Sequence, residues 1–222
     1  MILQLVTDRR RLIGPVPLDA ARRCLARQAH YAIDAHIECI HIRERDLEAA
    51  DLADLATEVV RITRGTSTKV VVNDRVDVAL ASRADGVHLR ADSVPAEAVR
   101  RMTPRGFLIG RSVHTPDEAA RVTGADYLVA GTVWPSDSKP AGQALLGLHG
   151  FASIVQATSL PVLAIGGVTA ARVADVAAAG GAGIAAIGLF IDETLDMGCR
   201  AVALVQMADA MRRRFDTSGS GS

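Results

Sequence analysis

Cysteines, aromatic residues and an excess of charge of either sign are all scarce in this sequence. Its 222 residues contain 25 Lys or Arg against 25 Asp or Glu, which gives a formal net charge of +0. Because nucleic acids and anionic membranes attract a basic surface, this balance argues against both as partners. Aromatic residues make up only 3% of the chain, too few for platforms that stack nucleic-acid bases. With 49% hydrophobic residues, the composition predicts a folded globular chain.

The three cysteines are Cys24, Cys39 and Cys199, and they form neither a Cys-x-x-Cys metal pair nor a disulfide framework. We therefore expect buried thiols and a reducing, cytoplasmic location. Charged residues begin at Asp8, too early for the apolar part of a signal peptide. The most apolar stretch, 177–191, is interrupted by glycines and is shorter than the ~18 residues that a membrane span needs. No membrane association is expected.

Short apolar runs alternate with helix-like segments along the whole chain. The runs lack polar alternation, which is typical of parallel strands that helices cover. Eight strands are predicted, at 2–7, 39–43, 69–73, 86–89, 108–112, 127–130, 161–165 and 183–187.

Eight strand–helix units in this length predict a single-domain α/β fold, the (β/α)₈ TIM barrel, over residues 1–215. An open doubly wound sheet also alternates in this way. A nucleotide-binding sheet of that kind should show G-x-G-x-x-G after its first strand, where this chain has Thr7-Asp-Arg-Arg10. Residues 216–222 resemble an appended linker and are predicted to form a flexible tail.

In such a barrel the chemistry lies at the carboxyl ends of the strands, so polar residues that follow the strands are candidate site residues. Arg43 and Arg45 follow the second strand, and their forked donors suit a phosphate or diphosphate. The alternative is an exposed ion-pair network with Glu44 and Asp46. Spacing alone does not separate the two.

Asn73 and Asp74 end the third strand. An amide there can bind a substrate ring, and a carboxylate can bind Mg²⁺, which takes few protein ligands beside phosphate oxygens. An Asn-Asp pair is also ordinary at a strand-to-helix turn. Ser112 follows the fifth strand, and His88 and His114 lie close to strand ends, where they can transfer protons or simply hydrogen-bond within the fold.

Glycines follow the last two predicted strands, at Gly166, Gly167 and Gly188. They match the usual phosphate site of such barrels, which backbone N–H groups form after the seventh and eighth strands. Close packing of a helix on a strand is the alternative. Segment 131–149 is longer than an ordinary connection, which predicts a binding loop. Three of its residues can hold a second phosphate or diphosphate: Ser136, Ser138 and Lys139.

Eight short motifs, in order along residues 5 to about 190, resemble the thiamine phosphate synthase family, which includes the related thiazole tautomerases. The motifs are LVTD (5–8), IHIRER (40–45), VNDR (72–75), DGVHL (85–89), IGRSVH (109–114), ADY (125–127), GTVWPSDSK (131–139) and PVLAIGG (161–167). Each motif is weak alone, but the set in this order is specific. The resemblance implies a TIM barrel, in agreement with the strand pattern.

The resemblance also implies a transferase reaction. In the synthase, hydroxymethylpyrimidine diphosphate ionises with the help of Mg²⁺, and a thiazole phosphate nitrogen captures the cation to give thiamine phosphate and diphosphate. The resemblance implies that Arg43 and Arg45 bind the diphosphate, Asn73 binds the pyrimidine and Asp74 binds Mg²⁺. It implies that Ser112 lies beside the diphosphate and the pyrimidine. The thiazole phosphate would bind at Gly166 and Gly167, and Ser136, Ser138 and Lys139 would contact both this phosphate and the diphosphate. A small homodimer is expected by analogy.

Some positions depart from the synthase pattern. His41 stands where the synthase usually has Gln, and Arg45 where it has Lys. A second Mg²⁺-binding Asp is expected near Ser93, and Asp92 can replace it only after a shift in register. Arg90-Ala91 replaces a Gly-Gln pair.

Two other functions stay open at this point. The tautomerase, an isomerase that aromatises a thiazole carboxylate phosphate without a metal, shares HIRER (41–45) and GRSVH (110–114). Its catalytic His belongs where this chain has Thr132, so His114 or His41 would have to act as acid and base. A non-catalytic barrel that binds thiazole phosphate would need only the glycine site. The synthase is favoured by Asn73-Asp74 and by the Ser-x-Ser-Lys segment.

Overall fold

Eight parallel strands close into a barrel in chain order in the computed structural model, which describes residues 1–136, 144–191 and 197–219. The first strand pairs with both the second and the last, through Gln4 with Cys39 and Leu3 with Ile184. The strands are β1 Ile2–Val6, β2 Cys39–Ile42, β3 Lys69–Asn73, β4 Gly86–Leu89, β5 Leu108–Val113, β6 Tyr127–Gly131, β7 Val162–Ile165 and β8 Gly183–Ala186. The predicted TIM barrel is confirmed, as a single domain.

Helices follow the strands around the outside of the barrel. They are α1 Arg9–Ile13, α2 Leu18–Asp34, α3 Ala49–Thr63, α4 Val76–Ala81, α5 Ala96–Met102, α6 Pro116–Arg121, α7 Gly147–Gln156, α8 Val173–Ala178 and α9 Met197–Gly219, with a 3₁₀ turn at Gly188–Phe190. Among the described residues, none of the helices combines the length and apolar character that a membrane span requires.

The last helix extends further than the composition predicts. It ends at Gly219 and therefore includes residues 216–219 of the predicted tail. The hydroxyl groups of Thr217 and Ser218 both donate to the carbonyl of Arg214, at 3.1 and 3.0 Å. These bonds within the helix let polar residues continue it, which the Ser-Gly composition did not indicate.

Apolar side chains pack on both sides of the strands, outside the barrel and inside it. The larger layer packs the outward side chains of the strands against the helices, with Ile40, Ile109 and Leu128 fully or almost fully buried. A small cluster around Val129 and Leu163 fills part of the barrel interior. The rest of the interior holds buried polar residues, and these lie beneath the carboxyl ends of the strands. The buried polar residues on the strands include Gln4, His41 and His88.

Candidate active site

Polar residues from adjacent strands meet beneath one half of the barrel rim. Strand register places Asn73 beside His88 and Val71 beside His41. His41 Nε2 lies 3.2 Å from Asn73 Oδ1, and His88 Nε2 lies 2.9 Å from Ser112 Oγ. The His41 and His88 rings lie next to each other and bring these two pairs together beneath the rim.

Arg43 is held at the end of β2 through its backbone, and its guanidinium is only partly exposed. Its N–H donates to Thr7 Oγ1 at 3.0 Å, and that hydroxyl donates to Glu44 Oε1 at 2.7 Å. Burial lowers the pKa of Arg43, and repulsion from Arg45 lowers it further. A bound anion would relieve both effects, because it would compensate charges that now face one another.

The ion-pair alternative for Arg43 and Arg45 requires Glu44 and Asp46 as partners, and both of these carboxylates pair with Arg9 instead. The carboxylate of Glu44 binds Arg9 at 2.9 Å, and that of Asp46 binds Arg9 at 2.5 Å. Asp46 also pairs with Arg10. Within the described ranges, Arg43 and Arg45 have no ion pair with either carboxylate. Their guanidinium groups remain available for a substrate anion.

Asp74 lies just beyond β3 in the left-handed region, with φ 62°, and its N–H donates to the His88 carbonyl at 2.9 Å. Ser93 donates its hydroxyl hydrogen to the Asp74 carboxylate. Asp92 instead pairs with Arg90 at 2.5 Å, and its side chain is 69% exposed. The structure therefore places Ser93, and not Asp92, beside Asp74. The metal role of Asp92 stays a prediction, and Ser93 is the nearer neighbour of Asp74.

Arg111 holds the loop that carries Asp92 and Ser93 in its observed register. Its guanidinium donates to the backbone carbonyls of Ala91 at 2.8 Å, Ser93 at 3.2 Å and Val94 at 2.6 Å. These three bonds fix the loop after β4, so a shift of one residue would break them. No sequence motif predicts a contact of this kind between a side chain and backbone carbonyls.

The donors at this point are few, but they are oxygen atoms, which Mg²⁺ prefers. The described residues contain no group of three or more His, Cys, Asp or Glu that could hold a metal ion. Asp74 supplies one carboxylate and Ser93 one hydroxyl. Because Mg²⁺ is commonly held by one or two carboxylates together with substrate phosphates and water, this small set fits such an ion. A diphosphate on the same rim would complete the coordination.

The two buried histidines are neutral. Burial, repulsion from His88 and repulsion from Arg43 lower the pKa of His41 well below 6.5. Burial lowers the pKa of His88 to about 3, with further repulsion from Arg43 and Arg111. The rings are close, with 4.6 Å between their centroids.

Gly166 and Gly167 lie after β7 with φ values of 94° and 62°. A Cβ on Gly167 would lie 2.3 Å from the Pro135 carbonyl oxygen, and one on Gly166 would lie 2.4 Å from Thr132 Cγ2. Both positions therefore require glycine for conformation and for close packing against the loop after β6. These contacts join two loops and do not pack a helix on a strand, so the phosphate role of the two glycines stays a prediction.

Arg172 connects these two loops. Its Nη1 donates to the Gly167 carbonyl at 2.6 Å, and its guanidinium carbon lies 5.1 Å from the centre of the Trp134 ring. Gly188 opens the 3₁₀ turn after β8, and a Cβ there would lie 2.7 Å from Arg11 Nη2. The Arg11 guanidinium thus lies next to Gly188.

Of the remaining predicted residues, the structure describes His114 and Ser136. His114 donates from Nδ1 to the Gly131 carbonyl at 2.6 Å, a bond that ties the end of β5 to the end of β6. Ser136 ends the described part of the loop after β6. Ser138 and Lys139 lie outside the described residues.

Sequence reasoning missed two residues of the interior network, Gln4 and Tyr127. The Gln4 amide donates from Nε2 to Tyr127 Oη at 3.3 Å, and Tyr127 Oη lies 3.4 Å from His88 Nδ1. A single glutamine inside the apolar run of β1 was the available signal. Tyr127 falls in the ADY motif (125–127), but the motif assigned the tyrosine no role in the site.

Comparison with known proteins is consistent with this geometry. The family model described as "Thiamine monophosphate synthase" matches residues 4–190. The chain is 40% identical over 193 residues to the thiamine-phosphate synthase of Methanoculleus marisnigri, with 86% of this chain and 88% of that protein covered. It is 38% identical over 192 residues to the thiamine-phosphate synthase of Roseiflexus sp., covering 86% and 78%. Thiamine phosphate pyrophosphorylase from Pyrococcus furiosus superposes with a TM-score of 0.74 at 30% identity, covering 98% and 96%.

Proposed function

Because this chain belongs to the thiamine monophosphate synthase family, we propose that it joins hydroxymethylpyrimidine diphosphate to thiazole phosphate and releases diphosphate. The observation that carries the proposal is the division of one barrel rim into two halves. The guanidinium groups of Arg43 and Arg45, which have no ion pair among the described residues, follow β2, the Asp74 carboxylate follows β3, and a glycine loop follows β7. A reaction between a diphosphate and a monophosphate requires two such anion sites.

The reaction breaks the bond between the pyrimidine methylene carbon and the diphosphate oxygen. The electron pair leaves with the oxygen, and the thiazole nitrogen then donates its own pair to the carbon. No oxidant or reductant is involved. In this scheme Arg43 and Arg45 bind the diphosphate and stabilise the negative charge that develops on it. The repulsion between the two guanidinium groups supports this role, since a bound anion would reduce it.

Asn73 and Ser112 orient the pyrimidine in the proposed complex. Each is held from below by a neutral buried histidine, Asn73 by His41 and Ser112 by His88. Such support limits side-chain motion, so the methylene carbon can be placed in line with the thiazole nitrogen.

Asp74 is the residue that we propose to hold Mg²⁺, with Ser93 as its neighbour and phosphate oxygens as the other ligands. When bound, the ion would neutralise the leaving diphosphate. Asp74 itself contributes a fixed carboxylate, positioned by its left-handed backbone and by the bond from its N–H to the His88 carbonyl.

The thiazole phosphate is proposed to bind at the backbone of Gly166 and Gly167, with Gly188 close by. Arg172 and Arg11 support this assignment, since each places a guanidinium against one of these glycine positions. Ser136, Ser138 and Lys139 are proposed to approach the same phosphate and the diphosphate, and His114 to tie the strand ends beneath them.

We further propose a cytoplasmic location and a homodimer. The free thiols of Cys24 and Cys39 suit a reducing compartment. Light scattering after gel filtration measures the oligomeric state directly.

A product assay tests the proposed function. The purified chain is mixed with hydroxymethylpyrimidine diphosphate, thiazole phosphate and Mg²⁺, and thiamine phosphate and released diphosphate are measured. We expect both products in equal amounts. Absence of both, with thiazole phosphate still bound, would contradict the proposal. The same preparation is then given the unaromatised thiazole carboxylate phosphate, which separates a tautomerase from a non-catalytic binding protein.

A further inference from the structure

A chain of hydrogen bonds crosses the barrel interior from β1 to β5. It runs from Gln4 to Tyr127, from Tyr127 to His88 and from His88 to Ser112. Gln4 is fully buried, and Tyr127 is the first residue of β6, at the opposite end of that strand from the rim. Tyr127 and Gln4 therefore influence the site only through their neighbours.

In the structure the nitrogen of the Gln4 amide faces Tyr127, and this orientation sets the direction of the bonds that follow. The Gln4 amide nitrogen can only donate, so Tyr127 Oη accepts from it and its own hydrogen is free for His88 Nδ1. His88 is neutral, so an Nδ1 that accepts leaves the hydrogen on Nε2. That hydrogen is donated to Ser112 Oγ at 2.9 Å. The hydroxyl hydrogen of Ser112 is then available to a group outside the chain of bonds.

The fold makes room for this chain at Gly110. A Cβ at that position would lie 2.3 Å from Tyr127 Cζ, 2.5 Å from Tyr127 Oη and 2.5 Å from His88 Nδ1. Any larger residue at position 110 would push against both the phenol and the imidazole. The absence of a side chain at residue 110 thus leaves room for the contact between Tyr127 and His88.

We propose that Tyr127 is a positioning residue, which holds His88 as the Nε2–H tautomer and thereby makes Ser112 a hydrogen-bond donor to the substrate. This inference rests on the proposed function for the identity of the substrate, whose acceptor is a pyrimidine nitrogen or a diphosphate oxygen. With the opposite tautomer, Ser112 would have to donate to His88 and could offer a substrate only its lone pairs.

Histidine-labelled NMR tests the tautomer without any substrate. The protein is labelled with ¹⁵N in histidine, and the His88 signals are assigned by their loss in His88→Asn. We expect one protonated nitrogen, Nε2, in the unaltered protein, and a mixture of tautomers in Tyr127→Phe. Tyr31→Phe is the matched control, because Tyr31 lies on α2 outside the barrel interior, and it should leave the His88 signals unchanged. A protonated Nδ1 in the unaltered protein would overturn the proposal, whether or not Tyr127→Phe folds.

A double-mutant cycle tests the link to Ser112. Loss of a hydrogen bond of this kind lowers kcat by roughly tenfold, so we expect a fall of about that size for Ser112→Ala and a smaller fall for Tyr127→Phe. If Tyr127 acts through Ser112, adding Tyr127→Phe to Ser112→Ala should cause no further loss. Equal losses in both backgrounds would show a general structural role and overturn the proposal. Failure of the unaltered protein to make product would contradict the proposed function and leave the NMR result to decide the tautomer.

Discussion

Ser93 donates its hydroxyl hydrogen to the carboxylate of Asp74, across the gap between the ends of β4 and β3. This contact puts a hydroxyl where a second carboxylate would complete a stronger magnesium site. If Asp74 holds Mg²⁺ as proposed, it would be the only carboxylate ligand among these two residues, and a substrate diphosphate would supply further oxygen atoms.

Replacing Ser93 with aspartate should strengthen Mg²⁺ binding. A second carboxylate next to Asp74 adds attraction for the cation, and we expect the Mg²⁺ concentration for half-maximal rate to fall roughly tenfold. Titration of Mg²⁺ in the product assay measures this. Asp92→Asn is the matched control and should leave the Mg²⁺ requirement unchanged, because Asp92 pairs with Arg90 at the surface. A large effect of Asp92→Asn would show that the loop adopts the other register.

Asp74→Asn should remove Mg²⁺-dependent turnover while thiazole phosphate still binds. The change keeps the size of the side chain but removes its charge, so the rate should fall by at least about 100-fold. Calorimetric titration with thiazole phosphate is the companion measurement, and its affinity should match that of the unaltered protein. Turnover that survives would remove Asp74 from the metal site.

Gly167→Ala should weaken thiazole phosphate binding because the added Cβ would lie 2.3 Å from the Pro135 carbonyl oxygen. Gly106→Ala is a matched control, since Gly106 also has a positive φ, 82°, but a Cβ there meets nothing within 4 Å. Each change costs about 1–2 kcal/mol of backbone strain. Only Gly167→Ala should reduce the affinity for thiazole phosphate, as measured by calorimetry. Equal affinities for the two variants would exclude the glycine loop as the phosphate site.

The protein should become less stable as the pH falls through the acid range. Burial keeps the pKa of His88 at about 3 and that of His41 well below 6.5. An unfolded histidine has a pKa of about 6.5, so below that pH the unfolded chain binds protons that the folded chain does not. The free energy of unfolding should therefore decrease as pH falls from 6.5 towards 3, by at most about 1.4 kcal/mol per pH unit for each ring.

Urea unfolding at several pH values measures this slope. His41→Gln should reduce it, because glutamine takes up no proton, and the exposed His30→Gln should leave it as it is. A slope in His41→Gln equal to that of the unaltered protein would contradict a neutral, buried His41.

The strands and the main site residues could be predicted because each depends on local pattern. The ends of the apolar runs agree with the strand ends to within one residue, and Arg43, Asn73, Asp74 and Ser112 were selected by their places after or at those ends. The position of Asp92 could not be predicted, because it depends on three bonds from Arg111 to backbone carbonyls of another loop. Tyr127 was missed for a related reason: its phenol meets partners on β1 and β4, which only barrel closure brings together.

The pairing of β1 with β8 also bears on the synthesis of the chain. Leu3 and Ile184 are partners in the barrel, although almost the whole sequence separates them. The ring therefore cannot close until the last strand has left the ribosome, and until then β1 and β7 present unpaired edges. Nascent chains that stop before Gly183 would keep those edges exposed and would be prone to aggregate.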